Sequence, residues 1–138
     1  MNNDVFLQPH PDPWIELTRR YVTAAVRALP RAGLEVEHAW LDPRDPRDAT
    51  IMYSSPANAV PWALVWDEET GWRNGLFESG AQGTRTQLSD VRYLGGRVLP
   101  SSADLISRLA GGVSEPRRQC RRASHLRDGL DDALCIAG

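Results

Sequence analysis

Three histidines stand far apart, at His10, His38 and His125, and two cysteines stand at Cys120 and Cys135. Histidine exchanges protons near neutral pH. A hydrolytic triad needs it beside a nucleophile and an orienting acid. No Gly-x-Ser-x-Gly elbow accompanies these histidines. His38 alternates with Leu34, Val36 and Trp40, so it is expected on their face as a hydrogen-bonded core or edge residue. The cysteines lack Cys-x-x-Cys spacing, and His125 adds only one further soft ligand, whereas a structural zinc site has four. They are expected as free thiols, with a tail disulfide formed on handling as the second reading. Asp67-Glu68-Glu69 is too short for a calcium loop, which spaces its oxygen ligands around a sharp turn. A solvated turn is expected there. No catalytic residue, metal site or cofactor is expected, and hence no enzyme.

Two groups of residues suit anions. Gly95-Gly96-Arg97 leads to Ser101 at the start of a helix, with Arg92 nearby. A helix N-terminus presents free N–H groups and the positive end of the dipole. The pattern matches neither Gly-x-Gly-x-x-Gly nor a Walker loop, and a tight glycine turn is the competing explanation. In the second group, Arg117, Arg118, Arg121 and Arg122 would share one side of a tail helix and suit phosphates. Asp128, Asp131 and Asp132 follow at once and are able to pair with them instead.

Five tryptophans, Trp14, Trp40, Trp62, Trp66 and Trp72, are a large supply for 138 residues. Each buries much area and needs a partner for its N–H when buried. Together with Tyr21 they are candidates for a partner-binding aromatic patch, the alternative being a tryptophan-rich core.

The elements that must position these residues follow from periodicity. Asp12 caps and Pro13 starts a helix expected to reach Leu29. Trp14, Leu17, Tyr21, Ala24, Ala25 and Ala28 form one stripe, and Ile15, Val22, Val26 and Leu29 a second beside it. So broad an apolar surface implies contact on two sides. Leu34–Leu41 alternates as a strand, and Asp42–Asp48 is a charged loop. Thr50–Ser54 is a second strand, with Ile51 and Tyr53 on one face. Ser55–Pro61 reads as a turn-rich break. Trp62–Trp66 is apolar on both faces and belongs at the centre of a sheet. Asp67–Gly71 turns a hairpin into Trp72–Phe77. Gly80–Gly83 is a flexible turn, and Thr84–Val91 gives one more strand. Ser101 caps a last core helix, with Leu105, Ile106 and Leu109 as its apolar face and Gly111-Gly112 at its end.

The expected fold is α+β: an N-terminal helix, an antiparallel sheet of three to five strands, and a C-terminal helix on the same sheet face. Residues 1–12 are expected to be flexible and 13–112 to form one domain. Residues 113–138 form an arginine-rich tail, disordered or docked as a helix in which Ala123, Leu126, Leu130 and Ala133 align. Residues 1–112 carry 11 arginines against 14 acids, and the tail carries 5 against 4. The whole protein has 16 basic and 18 acidic residues, a net charge of −2. That balance argues against a protein built mainly to coat nucleic acid. No apolar run approaches the roughly 20 residues of a membrane helix, and the first residues lack a signal-peptide pattern. A cytoplasmic protein is expected. All 16 basic residues are arginine. Their scatter fits GC-rich coding better than a ligand.

Trp66-Asp67-Glu68-Glu69-Thr70-Gly71-Trp72 and Tyr93-Leu94-Gly95-Gly96-Arg97-Val98-Leu99-Pro100 resemble the hallmarks of the actinobacterial domain-of-unknown-function family 6292. The leading helix with Tyr21-Val22 is similar too. The resemblance covers about 13–110 and leaves out the tail. It implies an actinobacterial source and no assigned catalytic residues. The order of elements is also similar to small chaperone-like and immunity-type α+β domains that bind another protein. The leading expectation is therefore a non-catalytic domain that binds a protein partner or itself. The alternative is a nucleic-acid accessory protein using the arginine tail. Third is an enzyme or small-anion binder at the Gly95-Gly96 to Ser101 connection.

Overall fold

The computed structural model describes residues 7–42, 46–122 and 128–136. Helix α1 spans Pro13–Ala28; the Asp12 side chain accepts from the Trp14 N–H, and Pro13 opens the first turn. A 3-10 turn, Leu29–Ala32, follows and takes in Pro30, beyond which Gly33 adopts a left-handed conformation. Five strands then form one antiparallel sheet in sequence order: β1 Glu35–Asp42, β2 Asp48–Ser55, β3 Asn58–Asp67, β4 Gly71–Ala81 and β5 Thr84–Tyr93. Helix α2, Ser102–Ala110, is capped by Ser101, whose hydroxyl accepts from the Asp104 N–H. A short helix α3, Leu130–Ile136, ends the described residues.

The architecture is the expected α+β one, with β3 central. Ala63, Leu64, Val65 and Trp66 of β3 are all fully buried. Gly71 has φ +82°, which the hairpin after Asp67 requires of its last residue. Two turns are tighter than expected. The Ser55–Pro61 break is only a turn at Pro56-Ala57, and Pro61 lies within β3; the turn after β4 is Gln82-Gly83.

The side chains of β1 divide differently from the simple alternation. A bulge between Val36 and His38 adds one residue, and one residue exchanges the faces of everything beyond it. Leu34 and Val36 pack on the core before the bulge, and Ala39 and Leu41 after it. His38 is exposed, and Trp40 leaves the core to meet Phe77 edge-on at 6.3 Å. His38 thus does not share the face of Leu34 and Val36.

The helices cover one sheet face. From α1, Ile15, Val22, Ala25 and Val26 are buried in the core with Ala49, Ile51, Leu64, Trp66 and Trp72. The second side of α1 meets other parts of the same polypeptide: α2 on one flank, and α3 through buried Leu130 and Leu134 on the other. Leu7, placed by sequence in a flexible leader, is buried in this core as well. The opposite sheet face curls over itself. Thr50 of β2 and Thr86 of β5 share a 2.7 Å hydroxyl contact although two strands separate them in the sheet. Three register shifts between β4 and β5 accompany that curl.

Candidate ligand-binding cleft

The helix face of the sheet is not covered throughout. Between the 3-10 turn, β2–β5 and α2 lies a cleft of about 280 Å³. Its apolar wall is Leu34, Trp62, Ile106 and Leu109. Strand register places its polar residues: Leu64 lies opposite Asn74, Asn74 opposite Arg92, and Tyr53 opposite Trp62, all on the helix side. The Tyr53 hydroxyl donates to Asn74 Oδ1 at 2.6 Å. Burial pushes the Tyr53 hydroxyl up to about 12, against the Asn74 hydrogen bond and the nearby Arg92 charge. Tyr53 is therefore a neutral donor at physiological pH, which leaves Asn74 Nδ2 as the free donor of the pair. Arg92 is half-buried and makes no ion pair or side-chain hydrogen bond among the described residues. An apolar pocket with a few convergent polar groups is the usual form of a ligand site.

The aromatic candidates separate. Tyr21, Trp66 and Trp72 are interior, Tyr21 reaching only the floor of a hollow of about 550 Å³ between α1 and residues 99–102. Trp72 Nε1 donates to the Tyr21 hydroxyl at 3.0 Å, and that hydroxyl donates to the Pro100 carbonyl at 2.7 Å. Trp66 Nε1 donates to the Val98 carbonyl at 2.8 Å. These three side chains tie the hairpin, α1 and the Val98–Pro100 connection together. Trp14 is half-buried beneath the Arg47 guanidinium, 4.6 Å from its ring centre. Trp40 is half-buried with its Nε1 unpartnered. Of the six, Trp62 is the one that lines the cleft.

The anion candidates also separate. Arg92 lies in the cleft. Gly95 and Gly96 line a second hollow of about 190 Å³ with Arg117, Arg118 and Cys120. A Cβ on Gly95 would collide with the Glu115 carboxylate and one on Gly96 with Arg108, so the protein's own side chains already fill the glycine turn. Arg97 is exposed, and Ser101 caps its own helix.

The tail differs most from expectation. Residues 116–122 form no helix, so Arg117, Arg118, Arg121 and Arg122 do not share a helical side. Arg117, Arg118 and Arg122 are exposed. Arg121 is committed internally: it donates to Glu68 Oε1 at 2.8 Å and pairs with Asp128. The Arg121 hydrogen bond holds the Asp128 carboxyl below the usual carboxylate range. Glu68 itself corrects the reading of a solvated turn. It is fully buried, gripped at both oxygens by Arg47, whose Nη2 also reaches Asp131 at 2.7 Å. No local pattern signals this cluster, because Arg47 lies in a charged loop and Glu68 in a charged turn. Asn74 did carry a signal: it occupies the core phase of β4, two residues after Trp72.

Cys120 and Cys135 are free and exposed, and His125, Ala123 and Leu126 lie outside the described residues. His10 Nδ1 accepts from the Asp12 N–H at the start of α1. No group of three His, Cys, Asp or Glu residues able to hold a metal is found among the described residues. No helix among them is long and apolar enough to cross a membrane. The model of a family of unknown function, DUF6292, matches residues 21–111. No curated protein and no solved structure matches.

Proposed function

The chain belongs to DUF6292, a family of unknown function, and from that premise we propose that it is a non-catalytic recognition domain that seats an apolar group of a partner protein in the cleft beside α2. The observation that carries this reading is the cleft itself. Trp62, Ile106 and Leu109 stay partly open there, beside a sheet face whose Ala49, Ile51, Leu64, Trp66 and Trp72 are fully buried. Large exposed hydrophobics are otherwise few among the described residues, namely Val60 and Val91. Self-association through α1 loses its motive, since α2, α3 and the sheet already cover that helix. The nucleic-acid reading keeps Arg117, Arg118 and Arg122 and loses Arg121 to Glu68 and Asp128. An NMR titration of the full-length protein with a mixed-sequence octapeptide pool tests the proposal. Shifts concentrated at Leu34, Trp62, Leu109 and Ala110, and lost in Leu109→Glu, are expected. Shifts scattered over the surface, or none, count against it.

A further inference from the structure

We infer that the occupant of this cleft is the free C-terminus of another polypeptide, its last residue apolar and its carboxylate held by Arg92. The inference rests on the proposed function above and names the chemistry of its partner. Arg92 lines the apolar cleft, with its Nη1 close to Gly112 just beyond α2, and has no acidic partner among the described residues. A guanidinium so placed favours a carboxylate, to which it donates two parallel hydrogen bonds. The Asn74 Oδ1 atom is occupied by the Tyr53 hydroxyl, so the amide presents its N–H groups and adds donors rather than acceptors. The sheet side of the cleft thus presents donors at Asn74 and Arg92 beside Trp62, and Leu34, Ile106 and Leu109 add apolar surface.

Size narrows the occupant further. The cleft holds about 280 Å³, roughly twice the ~150 Å³ cavity that takes one benzene. That admits one large side chain with an adjoining carboxylate, not a turn of helix. An internal Asp or Glu brings a carboxylate without an apolar group on the same carbon. A terminal Leu or Phe brings both on one Cα. The rim residues Ala32 and Ala110 are exposed, so the preceding residues of the bound peptide have a way out.

The test uses the full-length protein and an alanine-rich, fluorescein-labelled octapeptide ending in leucine, as the free acid and as the amide. Fluorescence anisotropy gives both affinities, with N-acetyl-leucine as competitor. The acid is expected to bind roughly tenfold to a hundredfold more tightly than the amide, the range for a hydrogen-bonded charge. Arg92→Gln is expected to erase that difference. Should that variant fail to fold, the acid and amide comparison on the unaltered protein still decides. Equal binding of acid and amide, abolished by Leu109→Glu, overturns the carboxylate assignment and leaves the cleft reading standing. N-acetyl-leucine matching the peptide overturns the peptide terminus in favour of a free acid. No binding of either peptide overturns the inference, and the octapeptide-pool titration then reports separately on the cleft.

Discussion

Glu68 shows how a buried charge is held. It receives the Arg47 backbone N–H at 2.6 Å, the Nε and Nη2 of the Arg47 guanidinium, and Arg121. Breaking such a set takes the buried anion from two guanidinium groups and leaves them only the more exposed carboxylates of Asp131 and Asp128. Glu68→Gln is expected to cost about 3–5 kcal/mol, read as a lower midpoint in urea unfolding with the slope unchanged. Asp48 is the opposite case. Its register partners are Asp42 on β1 and Asp67 on β3, so three carboxylates lie in a row. Burial, reinforced by Asp42, pushes the Asp48 carboxyl up to about 7, against the pull of Arg85 and Arg73. The nearer of these, Arg85 Nη1, stands 3.8 Å away. The folded state therefore holds this proton more tightly than the unfolded state, whose value is 3.8. The stability it contributes is complete below about pH 4 and is lost as pH rises through about 7. Asp48→Asn is expected to flatten that slope and to raise the melting temperature at pH 8. Calorimetry at pH 4, 6 and 8 on both proteins checks it. None of these pairings is visible in sequence, because Arg47 and Glu68 are joined by strand register and turn placement rather than by spacing.

Single elements are where sequence reading reached furthest and where it first slipped. The N-terminal signals of α1 and α2 operate as written: the Asp12 and Ser101 side chains each accept a backbone N–H. The hairpin of β3 and β4 pairs Trp66 with Trp72 directly. Strand β1 slipped because a bulge is a one-residue event that alternation does not announce. Deleting Glu37 is expected to remove the bulge and to leave Ala39 and Leu41 on the core and His38 and Trp40 on the outer face, because Val36 and His38 already pair with the consecutive residues Tyr53 and Met52. Cooperative unfolding retained in circular dichroism checks it, and its loss counts against it. Helix α3 is short, and its place is set by burial rather than by propensity, since Leu134 is fully buried. Leu134→Ala is expected to cost about 2–5 kcal/mol, the same range as a mid-core leucine, whereas a loosely attached tail would give almost nothing. Chemical denaturation of the two proteins separates these outcomes.

At the scale of the whole molecule, the described residues of the tail pack against the rest of the protein. Cys120 N–H donates to the Glu69 carbonyl at 2.7 Å, Glu115 bridges to Tyr93, and α3 lies on α1. Truncation after Gly112 is expected to strip Arg121 and Asp131 from the Glu68 cluster and to uncover α1. The truncated protein should melt well below the full one and be cut faster by thermolysin. Equal melting would show that residues 21–111, the family-matched span, fold without it. The cleft belongs to this scale as well. Its residues come from segments as far apart as Ala32 and Ala110, and no motif joins them. By itself the sequence determined the elements, their order, the α+β class and the side of most strands that is apolar. Those follow from local periodicity, caps and turns, which each act over a few residues. Only the tertiary structure decided which charges are buried, which tryptophans are interior and where the sheet stays open. Those depend on register, curl and helix placement, and they bring together residues that lie tens of positions apart in the sequence.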